Sequence, residues 1–183
     1  MMKYSKVISL KDGRKCVIRN GIKEDAEGAL NNFILTHGET DWLFSYPDEI
    51  NLTSEKEALY LEGKTNSSDE IELIAEVGGK IVGLAGIDRI GKQDKVRHRC
   101  EMGVSIEKAY WDLGIGRAMT EALIGCAREA GYTQLELGVV NGNTVAIELY
   151  KSLGFTEYGR NKRGFRSRYT GYQEIILMSL MLD

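Results

Sequence analysis

The stretch with the clearest chemical meaning is KAYWDLGIGRAM, Lys108 to Met119, in which Gly114 and Gly116 stand one residue apart at the start of an amphipathic run. Glycine lets a backbone approach a ligand closely and take up dihedral angles closed to other residues. The first N–H groups of a helix have no internal partner and carry roughly half a positive charge. A pyrophosphate suits such a turn, and so, on this stretch alone, does a tight turn or a close packing contact. A dinucleotide-binding fingerprint asks for a third glycine, and the residue in that place is Met119. It also asks for the turn directly after a first strand, whereas residues 107–113 intervene here and the upstream order is an antiparallel hairpin. A nucleotide-dependent oxidoreductase is therefore disfavoured.

The elements that must position this turn follow from periodicity. KCVIR (15–19) alternates as a strand, and residues 24–37 place Ala26, Leu30, Phe33 and Ile34 at helical spacing ahead of Gly38. Residues 38–53 have no period and hold the only proline, which predicts a loop. Ser54 and Glu57 form a capping-box pattern for a helix over about 54–64. Segments 70–77 and 80–90, joined by Gly78-Gly79, predict a hairpin. Strand 96–106 carries Gly103 as a candidate bulge. Ile115, Met119, Ala122, Leu123 and Cys126 share one face of a helix over about 114–130, and strand 134–140 alternates Leu135, Leu137 and Val139. A short helix at 143–153 ends at Gly154, and two strands (FTEYG and about 171–182) close the chain. Strands before, between and after helices predict an α/β (α+β) fold, a mixed sheet with helices on its faces, in a single domain, residues 1–183.

Composition sets outer bounds. A chain of 183 residues buries roughly 70% of its unfolded surface without staples. The net charge of −3 gives no reason to expect nucleic acid or an anionic membrane as partner. Cys16, Cys100 and Cys126 are odd in number and lack metal-ligand spacing, which predicts reduced, mostly buried thiols and no metal. Residues 1–20 show no signal-peptide core, and no apolar run approaches the ~20 residues of a membrane span. The expected location is cytoplasmic.

A second constellation, NTVAIELYKSLGF (143–155), follows strand 134–140 directly. Together with EMGVSIEKAYWDLGIGRAM it resembles the GNAT superfamily of N-acetyltransferases. That family has a strand, a loop of pattern Arg/Gln-x-x-Gly-x-Gly/Ala and a helix, then a strand and a helix containing Asn-x-x-Ala-x-x-Leu-Tyr-x-x-x-Gly-Phe. Asn143, Ala146, Leu149, Tyr150, Gly154 and Phe155 meet the second pattern; Gly114 and Gly116 meet the first, with Trp111 in the Arg/Gln place. The resemblance implies a mostly antiparallel sheet of about seven strands, helices on both faces, splayed between strands 96–106 and 134–140. It implies acetyl-CoA as co-substrate.

It also implies roles. The backbone of Val104, Ser105 and Ile106 would hold the pantetheine arm. The N–H groups of Trp111, Asp112, Leu113, Gly114, Ile115, Gly116, Arg117 and Ala118 would hold the pyrophosphate, with Asn143 and Tyr150 on the cofactor-side helix. Trp111 removes the usual side-chain contribution, which Arg117 can partly replace, or it serves packing. An alkyl ammonium of pKa ~10.4 is neutral in only about one molecule in 10³ at pH 7, a handicap of roughly 4–5 kcal/mol. Glu101, close to where the family often places a carboxylate, is the candidate base, against an ordinary salt-bridged or solvated glutamate; His37 and His98 are weaker candidates. An N–H near Val104, freed by a bulge at Gly103, would meet the oxyanion. Tyr150 is the candidate acid for the thiolate, against a core aromatic. The acceptor would sit under residues 37–49, where Glu39, Asp41, Trp42 and Phe44 suit a cation with an apolar neighbour, or form a solvated loop, with the last hairpin around 160–172 closing the other side. The basic run 159–169 attracts anions or is solvated. The acceptor expected is a small-molecule amine, a peptide N-terminus or a lysine; a homodimer is compatible. The alternative function is a CoA-binding sensor or scaffold without turnover.

Overall fold

Eight strands, one more than expected, form a single sheet in the order β1-β2-β3-β4-β5-β6-β8-β7 in the computed structural model, which describes residues 2–183. The added strand is β1 (Ser5–Ser9), paired antiparallel to β2 (Lys15–Asn20) at the sheet edge. Its apolar residues are largely outside the core, with Val7 60% exposed, so no buried alternation marks it in the sequence. Helices α1 (Ala26–Glu39) and α2 (Ser54–Asn66) follow, then the hairpin β3 (Ile71–Val77) and β4 (Lys80–Arg89). Gly78 and Gly79 turn that hairpin with φ of 60° and 82°, the left-handed pair a tight two-residue turn requires. Then come β5 (Arg99–Ile106), α3 (Ile115–Glu129), β6 (Gln134–Val140), α4 (Thr144–Ser152), β7 (Thr156–Ser167) and β8 (Gly171–Met181).

Local corrections have local causes. Helix α1 runs through Gly38 to Glu39. The cap of α2 is Thr53, whose hydroxyl accepts the Lys56 N–H, one residue before the expected Ser54. Strand β5 starts at Arg99, because residues 96–98 turn back on Gln93 and Val96.

Side-chain alternation explains the helices on both faces. Leu73, Ala75, Ala85 and Ile87 join the large core with Ile115, Met119 and Leu123 of α3 and Ile147 of α4. Their neighbours Ile74 and Leu84 point the other way, to Ala26 and Ala29 of α1 and Leu61 of α2. All three cysteines are free and buried. Among the described residues no helix is long and apolar enough to cross a membrane.

Beneath α2, one carboxyl is buried without a full counter-charge. Glu72 of β3 lies over Gly86, where a Cβ would collide with its Oε2, and the Tyr60 hydroxyl donates to it at 3.1 Å. Burial pushes its pKa up to about 8, against the pull of Lys64. The folded protein therefore keeps a proton that the unfolded chain releases near pH ~4.3, so stability falls as pH rises from there to about 8. Glu72→Gln keeps the shape without the charge. Its melting temperature should exceed the parent's at pH 8.5, by about 2–4 °C for each kcal/mol regained, and the gap should close by pH 5. Thermal unfolding followed by circular dichroism checks this; an equal offset at both pH values would show that the charge is not the cause.

Candidate active site

The sheet opens between β5 and β6. These strands pair in parallel only at Arg99–Gln134, Cys100–Leu135 and Glu101–Glu136. The Glu107 N–H donates to the Val82 carbonyl, and the Ile90 N–H to the Arg99 carbonyl. Odd-numbered residues of β5 thus direct their backbone groups to β4, and even-numbered ones direct theirs toward β6. The last of these pairs, Glu101–Glu136, uses the Met102 N–H on the Glu136 carbonyl; past it no strand meets β5, so the C=O of Met102 and the N–H and C=O of Val104 face the gap. Two expectations change here. The β4–β5 register is unbroken from Gly83–Ile106 to Arg89–Cys100, so Gly103 is not a bulge and the splay is what frees Val104. Ser105, an odd residue, turns its backbone to β4 and not to the gap.

A cavity of about 840 Å³ lies over this opening. Its walls are Glu101 to Ile106 of β5, the glycine turn (Trp111, Asp112, Gly114, Gly116, Arg117), one side of α4 (Asn143, Ala146, Leu149, Tyr150), and Trp42 and Phe44 of the α1–α2 loop. Gly114, at φ 98°, is the N-cap of α3; no side chain caps that end and its first turn holds no acid. The Ala118 N–H is already bonded to the Gly114 carbonyl. The free donors of this end are therefore those of Ile115, Gly116 and Arg117, aimed with the helix dipole.

The model of the GNAT acetyltransferase family matches residues 37–155, well over half of the chain. The chain belongs to that family. Its fold superposes with a TM-score of 0.86 on an acetyltransferase of the GNAT family from Streptococcus pneumoniae, 30% identical, over 91% of this chain and 99% of that one. In sequence it is 36% identical over 92 residues to the N-alpha-acetyltransferase RimI of Mycobacterium tuberculosis, covering 50% of this chain and 56% of the relative. It is 26% identical over 111 residues to the L-amino acid N-acyltransferase MnaT of Escherichia coli, covering 61% of this chain and 64% of the relative. The matched part thus spans little more than half to under two-thirds of these curated relatives.

The GNAT pattern residues can now be given physical roles in this chain. Asn143 caps α4, its side-chain oxygen accepting the Ala146 N–H at 3.3 Å. Trp111, in the Arg/Gln place, donates its indole N–H to the Ile106 carbonyl at 2.8 Å and stacks on Trp42, centroids 5.9 Å apart. It ties the glycine turn to the end of β5 and to the loop above. Leu113 packs on the core, Ile115 is buried in it, and the Leu113 carbonyl takes the Lys11 N–H. Arg117 lines the cavity and is bonded to Ser152 of α4.

Glu101 faces the cavity and has no ion-pair or hydrogen-bond partner among the described residues; the neighbouring Glu136 takes Arg99 instead. Tyr150 packs on Phe155, and burial pushes its hydroxyl up to about 12, so it stays protonated at neutral pH. His37 bonds the Phe33 carbonyl, and neither His37 nor His98 lines the cavity.

The acceptor-side expectations divide. Trp42 and Phe44 line the cavity; Glu39 and Asp41 do not. Glu39 accepts the Lys108 N–H at 2.7 Å, and Asp41 accepts from Ser167, the Tyr46 hydroxyl and Gln173, pinning the loop to the β7–β8 hairpin. Two cations of the basic run are neutralised within the fold, Arg160 by Glu157 and Glu174, Arg168 by Asp48 and Glu49. Phe165 lies in the hairpin expected to close the acceptor side, whereas lining residues the sequence did not indicate include Lys11, Asp88 and Ile175. Each comes from a segment far away in the chain, and no local signal marks it.

Proposed function

We propose that residues 1–183 act as one acetyl-CoA-dependent N-acetyltransferase domain that acetylates a primary amine by direct attack within a ternary complex. The observation that carries this reading is the unpaired Met102 carbonyl and Val104 N–H, open to a cavity that runs from an uncapped helix N-terminus to a free carboxylate. These residues suit the co-substrate: Ile115, Gly116 and Arg117 offer N–H donors to the diphosphate, and the carbonyls of Met102 and Val104 accept from the N–H groups of an amide-bearing arm. When bound, acetyl-CoA supplies an acetyl thioester whose C–S bond breaks as the C–N bond forms. Val104 donates its N–H to the carbonyl oxygen as negative charge develops there. Glu101 takes a proton from the ammonium nitrogen, and Tyr150 gives its hydroxyl proton to the departing sulfur. The acceptor is a small amine, a peptide N-terminus or a lysine side chain, and the cytoplasm, where acetyl-CoA is made, suits this chemistry.

Acetyl-CoA and CoA should raise the melting temperature while NAD does not, and amines should release thiol from acetyl-CoA in the presence of a thiol reagent. A shift with NAD alone would overturn the reading. CoA stabilisation with no thiol released from any amine would favour the sensor alternative.

Tyr150→Phe keeps the ring on Phe155 and removes only the hydroxyl. The thiol pKa of ~8.5 lies nearer neutrality than the amine's ~10.4, so the fall in kcat should be smaller than for loss of the base. Stability and CoA binding should stay near those of the parent. If the variant instead loses stability and CoA affinity while turnover per bound enzyme is unchanged, Tyr150 is a core residue and water is the acid.

A further inference from the structure

The cavity is charged very differently at its two ends. Among the described residues its lining cations are Lys11 and Arg117, which belong to the glycine-turn end with Asp112, Lys11 through its backbone bond to Leu113 and Arg117 as part of α3's first turn. At the other end the charged lining residues are two carboxylates, Asp88 and Glu101. They are direct cross-strand partners of β4 and β5, so both side chains rise from the same face. Lys64 cannot serve an incoming anion there: its ammonium is buried, with 5% side-chain exposure, and is already bound to Asp88 and the Ile87 carbonyl. Nor do the hairpin arginines reach in. Phe165, opposite Gln173, faces the cavity, while the next pair, Arg166–Tyr172, faces away, with Arg166 and Arg163 both on the Tyr172 ring.

The rest of that end, Thr36 and Thr40 apart, is apolar and roofed. The loop after α1 spans from the Trp42–Trp111 stack to the Phe44–Phe165 edge contact. It is strapped across by the Asp41 bonds and by Tyr46, whose hydroxyl accepts the Arg168 N–H at 2.8 Å. Phe44 itself is 89% exposed, an aromatic ring offered at the mouth.

We propose, resting on the acetyltransferase reading, that the acceptor is a small primary amine on an apolar or aromatic body with no carboxylate beside the nitrogen. Glu101, unpaired, attracts the ammonium beside the Lys64-bound Asp88, and Trp42, Phe44 and Phe165 hold the body. An α-amino acid would bring its carboxylate to the unpaired Glu101 and to an Asp88 whose lysine is already taken, with no free lining cation at that end to receive it. That disfavours the class on which the amino acid N-acyltransferase relative acts. A polypeptide acceptor would have to pass the strapped loop.

Matched acceptors test this on the unaltered protein: phenethylamine against phenylalanine, tyramine against tyrosine, and phenylalanyl-peptide amides, all with acetyl-CoA and a thiol reagent. The amines should exceed their amino acids in kcat/KM by about 10²-fold or more. Phenylalaninamide, which lacks the carboxylate, should recover most of the difference. Phe44→Ala, which removes a ring 89% exposed at the mouth, should raise KM for tyramine several-fold with kcat little changed and the CoA-induced thermal shift intact. Amino acids or peptide amides acetylated as well as the amines would overturn the proposal while leaving the acetyltransferase reading in place. Thiol release with none of these acceptors would remove both.

Discussion

Glu101→Gln is expected to lower kcat/KM at neutral pH by about 10²–10⁴-fold. The substitution keeps the length and polarity of the side chain and removes only its ability to accept a proton. Two features make the effect readable. Glu101 has no cation partner whose loss would disturb the sheet, and its backbone sits at the last paired position between β5 and β6, where the side chain faces the cavity without being packed. Stability should therefore stay close to the parent's. Because the handicap being overcome is the amine's protonation, the loss should shrink as pH rises toward the amine's own pKa. The check is a pH profile of kcat/KM for parent and variant with one amine. A deficit that is independent of pH, or absent, would mean that the proton leaves through water and that Glu101 is structural.

Gly116→Val should abolish the CoA-induced thermal shift while the free protein melts within a few degrees of the parent. A Cβ at Gly116 would meet Ile106 Cδ1 at 3.4 Å and Leu149 Cδ2 at 3.7 Å, both on the cavity wall and both in ordinary contact. The backbone there is not left-handed, so valine brings no dihedral strain, and its branches enter the space at the helix end that the phosphates need. Gly114→Ala is the opposite case. Its φ of 98° costs a side chain about 1–2 kcal/mol, yet nothing lies within 4 Å of the new carbon. It should lower the melting temperature of the free protein and leave part of the CoA shift. Were Gly114→Ala to abolish the shift and Gly116→Val to spare it, the phosphates would lie elsewhere.

What the sequence determined by itself are features built within a few residues of one another. The Gly78-Gly79 turn, the Asn143 cap, the Gly154 stop and the face of α3 are each set by local backbone chemistry, and the structure has them where the sequence places them. The motif residues of the glycine turn and α4 belong to this group, because a helix start and a capping side chain need only their neighbours. What only the tertiary structure decided depends on register between distant segments. Strand β1 escapes notice because an edge strand with exposed faces has no buried alternation. Val104 is freed because β6 diverges from β5, a property of two strands that no residue near Gly103 encodes. Asp41 looks like a cation ligand in its own loop, yet a serine and a glutamine more than 120 residues onward consume it. Asp88 looks like an ordinary strand acid, yet the β4–β5 register sets it against Glu101 and α2 lays a buried lysine on it. Local chemistry chooses turns, caps and faces; which side chains share a cavity is chosen by how the strands align and where they part.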